Sequence, residues 1–141
     1  MKYLADASAL IRILRKQADP AWDEVLSRGL ISICEPALAE TLRAADAKRY
    51  AEAEATVAWR CLPVIEPDGI WDQVAVIRRG LARRATHTGP SVVDMLIAAT
   101  ALRLKLTVLH EDRDFATIGD VVPELRQRSI RSGPKGNDGD R

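Results

Sequence analysis

Five carboxylates stand where a fold could gather them: Asp6, Glu40, Asp94, Asp112 and Asp114. Asp94 is the most telling. Between residues 92 and 102 every side chain is apolar except Asp94 and Thr100, and an element apolar almost all round belongs inside a fold. A carboxylate there has to be hydrogen-bonded, paired with a cation or bound to a metal, because a bare charge in a low-dielectric interior is costly or takes up a proton. Ser91-Val92-Val93-Asp94 also fits a capping box, in which the acid reaches back to the amide of the cap residue. For Asp94 alone, the structural and the functional accounts stand level. Residues 106–109 are a short β-branched and leucine run that reads as a buried strand. The run leads straight into His110, Glu111, Asp112, Arg113 and Asp114. In open α/β sheets ligands bind beyond the carboxyl ends of strands, so acids just past a strand end sit where chemistry is expected.

The remaining acids follow elements of the same kind. Residues 3–5 form a first strand with Asp6 at its end, and Ser8 is a candidate cap for a helix over 9–16. An Asp at a strand end also suits a turn. Asp19-Pro20 opens a second helix that Gly29 stops, and residues 30–34 are a second strand. Glu35-Pro36 then starts a helix with Glu40 in its first turns, beside apolar Ala37, Leu38, Ala39 and Leu42; the helix dipole alone would also favour an acid there. Residues 43–59 stay helical with a break near Asp46 or Tyr50. Residues 62–65 are a third strand. Asp68 is expected to cap a helix whose apolar face is Ile70, Trp71, Val74, Ile77 and Leu81, and whose other face carries Arg78, Arg79, Arg83 and Arg84. These arginines, like Arg12, Arg15 and Lys16, are a solvated face or a contact for a phosphate backbone. The helix after Ser91 should end near Leu104 or Lys105. A short segment over 116–122 follows, then a last edge strand over 125–130. Residues 131–141 hold three of the chain's eight glycines and no apolar side chain, and are expected to form a disordered tail.

This order of elements reads as α/β with a parallel sheet of four to five strands. If the strands are parallel, Asp6 and the Asp112/Asp114 pair emerge on one edge. A helix returning antiparallel begins there too, which brings in Asp94, and Glu40 follows from strand two. So many carboxylates in one place repel each other, and no Lys, Arg or His at comparable spacing neutralises them all. The remedy is a divalent cation, and with oxygen ligands only it is Mg²⁺ or Mn²⁺ rather than Zn²⁺.

At 141 residues the chain is long enough for one core without disulfide or metal staples, organised as a domain over 1–130 with the tail beyond it. Its 21 basic and 20 acidic residues leave a formal charge of +1, which excludes a histone-like basic protein and confines any nucleic-acid contact to local patches. Cys34 and Cys61 lie in or beside apolar runs without CxxC spacing, and read as buried free thiols of a reducing cytoplasm. No apolar run reaches the roughly 18 residues of a membrane span, and Asp6 and Arg12 interrupt any signal-peptide core. The chain is expected to be soluble and cytoplasmic.

Three segments in order, MKYLADASALIRILR, PALAETLRAA with Glu40, and GPSVVDMLIAATALRLKLTVLHEDRDF, resemble PIN-domain ribonucleases, above all the VapC-type toxins of VapBC toxin–antitoxin systems. The resemblance covers about residues 1–120, with D-x-S-A-L, V-D-x-L-I-A-A-T-A and L-H-x-D-x-D-F as its most specific pieces. It implies a PIN-like three-layer fold and a metal-dependent endoribonuclease acting on tRNA, rRNA or mRNA. It also implies acids at Asp6, Glu40, Asp94 and the Asp112/Asp114 pair, and inhibition by a small VapB-type antitoxin. On that basis Asp6 and Asp94 hold Mg²⁺, Glu40 orients or deprotonates the attacking water, and Asp112 or Asp114 completes the site, with Asp114 preferred as the inner ligand because the Asp-Phe pair is the more typical family element. Relatives often carry Arg after the histidine of the loop before Ser91. Here that residue is Thr88, a departure that bears on a substrate or phosphate contact and not on the metal site. Whether the chain forms a homodimer is open. The alternative is a non-catalytic PIN-like module that binds RNA or protein. A receiver-like signalling domain, which also clusters acids round Mg²⁺, requires an aspartate ending the third strand and a lysine further on, whereas this chain offers Glu66 and no suitable lysine.

Overall fold

The computed structural model describes residues 2–134. Five short strands form one sheet in the order β3-β2-β1-β4-β5: β1 (Tyr3–Ala5), β2 (Ile31–Cys34), β3 (Leu62–Val64), β4 (Thr107–His110) and β5 (Gln127–Ser129). All neighbours pair in parallel. The chain builds outward from β1 through β2 to β3, then returns across the sheet to lay β4 on the other side of β1. That reversal makes the β1–β4 boundary the switch point of the sheet, where the crevice for a ligand opens.

Seven helices make the crossovers: α1 (Ala7–Leu14), α2 (Ala21–Ser27), α3 (Glu35–Leu42), α4 (Tyr50–Arg60), α5 (Ile70–Arg83), α6 (Val92–Leu104) and α7 (Arg113–Val121), with a 3₁₀ turn at Ala47–Arg49. The expected break after α3 is this turn, capped by Asp46, whose side chain accepts from the Lys48 N–H. The helix α6 is the central one. Ile97, Ala98, Ala99, Thr100 and Ala101 have no exposed surface, and α6 packs on α3, α5, α7 and β4. Its exposed side chains lie at its ends, at Val92, Arg103 and Leu104. It stops where Lys105 turns left-handed at φ 57°.

Local chemistry corrects several expected boundaries. Asp6, not Ser8, is the N-cap of α1, because β1 ends at Ala5 and the Leu10 N–H already bonds the Asp6 carbonyl at 3.0 Å. The N-cap of α5 is Gly69 at φ 76° rather than Asp68, a left-handed conformation that glycine adopts without cost to a Cβ. Ile70, Val74, Ile77 and Leu81 are buried as expected, but Trp71 is 61% exposed: at about 100° per residue it lies roughly a quarter turn off their stripe. Strand β4 is shifted one residue along, so His110 belongs to the strand and is buried.

Trp22 is fully buried. It meets the Tyr3 ring edge-on at a centroid distance of 5.3 Å and its Nε1–H donates to the Ile130 carbonyl at 3.1 Å, so it serves the core. Cys34 and Cys61 are free and buried, and burial pushes both thiols up to about 11. Of the expected tail, Arg131 and Ser132 belong to the turn after β5, in which the Ser132 N–H donates to the Ser129 carbonyl at 3.2 Å, and residues 135–141 lie outside the described residues. Among the described residues no helix is long and apolar enough to cross a membrane.

Candidate metal centre

Asp6 leaves the carboxyl end of β1 at the switch point. Its N–H donates to the Leu109 carbonyl at 2.8 Å, which carries the β1–β4 pairing one step past the strand. Its side chain makes no capping bond and instead accepts the Ser8 hydroxyl at 2.6 Å. Burial pushes the Asp6 carboxyl up, the Ser8 bond opposes this, and the charge of Asp94 adds to the rise. Ser8 therefore acts as an orienting group, and its oxygen also accepts the Glu111 N–H at 3.2 Å. One hydroxyl thus ties the ends of β1 and β4 together.

Asp94 realises the capping box in full. The Ser91 N–H donates to Asp94 Oδ2 at 2.9 Å and the Asp94 N–H donates to Ser91 Oγ at 3.1 Å. An ionised carboxylate has about four acceptor positions on two oxygens, so one such bond leaves Asp94 with lone pairs to spare. The residue is 7% exposed.

The third part is the turn that follows β4. Asp112 caps α7, with its Oδ1 accepting the Asp114 N–H at 3.0 Å. The Asp112 N–H in turn donates to His110 Nδ1 at 3.2 Å. Asp94, Asp112 and Asp114 each offer an oxygen such that the three lie within 4.8 Å of one another. The crowding is felt most at Asp114. Burial, then the charges of Asp112 and Asp94, push its carboxyl up from 3.8 to about 6. The loop before α6 closes over this point, since a Cβ on Gly89 would stand 3.4 Å from Asp114 Oδ1.

Glu40 is half-buried on α3. That helix packs against α1 and α6, whose first residues follow Asp6 and include Asp94, but neither Glu40 nor Asp6 is one of the three converging acids. Arg78, Arg79, Arg83 and Arg84 are all exposed, and Arg84 donates to the Asp120 carbonyl at 2.6 Å, fastening the end of α5 to α7. His87 and Thr88 are exposed in the loop before α6.

Several contributors escaped the sequence. Glu111 sits among the acids in sequence, but its side chain is only 6% exposed and turned away into ion pairs with Arg12 and Arg131, the latter at 2.7 Å. Gln127, on β5, bonds His110. No spacing rule links residues 17 or 20 apart across an edge strand, so Gln127 and Arg131 carried no signal.

An all-oxygen donor set of mutually repelling carboxylates suits a hard divalent cation. Burial first, and then the charges of Asp112 and Asp94, account for the raised Asp114 carboxyl.

Comparison with known proteins shows the family and the fold. The PIN domain matches residues 3–121. Ribonuclease VapC2 of Mycobacterium tuberculosis (strain CDC 1551 / Oshkosh) is 33% identical over 136 residues, 94% of this chain and 96% of that protein. Among solved structures, VapBC-1 from nontypeable Haemophilus influenzae superposes with a TM-score of 0.75 at 14% identity, covering 94% of this chain and 100% of that one. VapBC2 from Rickettsia felis, bound to a DNA fragment from its promoter, gives 0.73 at 18% identity, covering 92% and 98%. The chain belongs to the PIN-domain family, among the VapC-type ribonucleases.

Proposed function

We propose that this chain is a divalent-metal-dependent endoribonuclease, a hydrolase of RNA phosphodiester bonds, and the toxin component of a toxin–antitoxin pair. Asp6, Asp94 and Asp114 are the ligands for Mg²⁺ or Mn²⁺, Asp112 completes the site, and Glu40 orients or deprotonates the attacking water. The supporting observation is the convergence of Asp94, Asp112 and Asp114 within 4.8 Å at the switch point of the sheet, in a chain one-third identical to a named ribonuclease over 94% of its length. A bound ion there supplies Lewis-acid charge for the phosphate and a water of lowered pKa. The chain's own residues arrange the donors. Ser8 fixes Asp6, Ser91 fixes Asp94, and the Asp112 cap fixes the turn that presents Asp114.

The substrate is RNA, whether tRNA, rRNA or mRNA. The two solved relatives are VapBC assemblies, which supports a VapB-type antitoxin as the protein partner in the cytoplasm, with a homodimer as a further assembly. The nuclease unit is residues 1–130, with 131–141 as a tail beyond it. The test is cleavage of total tRNA and rRNA by the purified chain with Mg²⁺ or Mn²⁺, with EDTA, and by Asp94→Asn in parallel. Cutting that needs both the metal and Asp94 is the expected result. Metal binding by folded protein with no cutting of any RNA would favour the non-catalytic RNA- or protein-binding module, and cutting that survives Asp94→Asn would reduce that acid to a cap.

A further inference from the structure

We infer that His110 is a positioning residue of this centre: its ring holds the amide of Asp112 and so sets the turn that presents Asp112 and Asp114 to a cation. The inference rests on the carboxylate-centre assignment above.

His110 ends β4 and is 6% exposed, too enclosed to meet substrate. Its two nitrogens have different partners. Nδ1 receives the Asp112 N–H at 3.2 Å, so it carries no proton. Nε2 lies 2.6 Å from Gln127 Oε1, an acceptor, so it carries the proton and donates. The pair of contacts defines one neutral tautomer, and Gln127 on the neighbouring strand selects it. The His110 ring is steadied on its other side by Phe115, the first buried residue of α7, at a centroid distance of 5.3 Å. Its backbone carbonyl accepts the Ile130 N–H at 2.9 Å, which completes its attachment to the sheet.

The consequence is a relay of hydrogen bonds with a fixed direction. Gln127 orients His110, His110 Nδ1 takes the Asp112 N–H, and Asp112 Oδ1 takes the Asp114 N–H. The Asp112 amide lies at the N-cap of α7, has no backbone acceptor among the described residues, and needs one where it leaves the sheet. Partners of this outer kind typically change metal affinity by about 10–100-fold when removed.

The test compares His110→Leu, which has no acceptor, with His110→Asn, whose side-chain oxygen reaches the place of Nδ1 but not Gln127. Mn²⁺ binding is read by electron paramagnetic resonance and thermal stability is read alongside. Both variants forfeit the Gln127 bond and ring packing, so both lose stability. His110→Leu is expected to weaken Mn²⁺ at least about 10-fold, and His110→Asn to restore most of that affinity. In the wild type, ¹⁵N shifts should show an unprotonated Nδ1 and a protonated Nε2, and Gln127→Leu should mix the tautomers. Equal loss of Mn²⁺ affinity in both His110 variants, or none in either, overturns the inference and leaves the centre standing. Folded wild type that binds no Mn²⁺ overturns the centre and the inference together.

Discussion

Replacing Asp114 with Asn separates two effects that usually move together, because the side chain is a liability to the metal-free fold and a necessity for the ion. In the folded chain its carboxyl is pushed from 3.8 up to about 6 by burial and by Asp112 and Asp94. At neutral pH that corresponds to at most about 3 kcal/mol of unfavourable free energy, and screening at a partly exposed group reduces it to roughly 1 kcal/mol. Asn keeps the shape, removes the charge and can donate to its neighbours. Metal-free Asp114→Asn should therefore melt about 2–4 °C above wild type at pH 7.5. The sign has a pH signature. The folded state holds the Asp114 proton more tightly than the unfolded state, so this group's contribution to stability is complete below about pH 4 and lost as pH rises through about 6. His110 works the other way, since burial lowers its pKa and its contribution is complete above 6.5 and falls on acidification. The difference in melting temperature between wild type and variant removes the His110 term. That difference should shrink from pH 7.5 toward pH 4.5. With Mn²⁺ at about 100 times its Kd, wild type should gain about 2.7 kcal/mol and the variant nearly none. A variant that melts lower than wild type without metal, or that keeps the full Mn²⁺ gain, would refute the description of Asp114 as a crowded ligand.

Other expected outcomes are independent of that one. Ser91→Ala removes the cap but not the carboxylates, so it should cost about 1 kcal/mol in chemical denaturation while Mn²⁺ affinity stays within a few-fold of wild type. Ser8→Ala breaks the bond to Asp6 and the acceptor of the Glu111 N–H; calorimetry should show weaker Mn²⁺ binding by about 10-fold. Ile97→Ala empties a fully buried position of α6 and should destabilise the fold by about 2–5 kcal/mol, read as a lower urea midpoint. Cys34 and Cys61, with thiols at about 11, should ignore a thiol reagent at pH 8 until the chain is unfolded, and prompt labelling of either would contradict their burial.

The elements that carry the acids were legible because each joins a short apolar run to an abrupt polar residue. Asp6 follows a buried strand, and Asp112 follows another; a chain that leaves a parallel sheet must do so at the carboxyl edge. The nearly all-apolar run of α6 marked the central helix for the same reason. Contacts made through β5 were not legible. Its charges give it the look of a surface segment, yet Gln127 and Arg131 reach His110 and Glu111 from it and the turn that follows. Glu111 shows the limit most clearly, since nothing in the run His110 to Asp114 separates it from its acidic neighbours, whereas in the fold it pairs with Arg12 and Arg131. Gly69 was passed over for Asp68 because composition favours Asp as a cap, and only the left-handed backbone there makes glycine the better choice.

Asp94 bears on how caps and functional acids should be weighed against each other. The two accounts compete only if a carboxylate can serve one partner. Here a single oxygen accepts the Ser91 N–H, and the acid still stands within 4.8 Å of Asp112 and Asp114. Asp112 combines the two by a different bond, since it is itself the N-cap of α7, its Oδ1 accepting the Asp114 N–H, and it belongs to the same cluster. A capping bond holds the carboxylate in one orientation at the positive end of a helix, and the helix is in turn held by its packing, so capping is the means by which the acid is aimed. On this fold, finding the cap raises the case for the site.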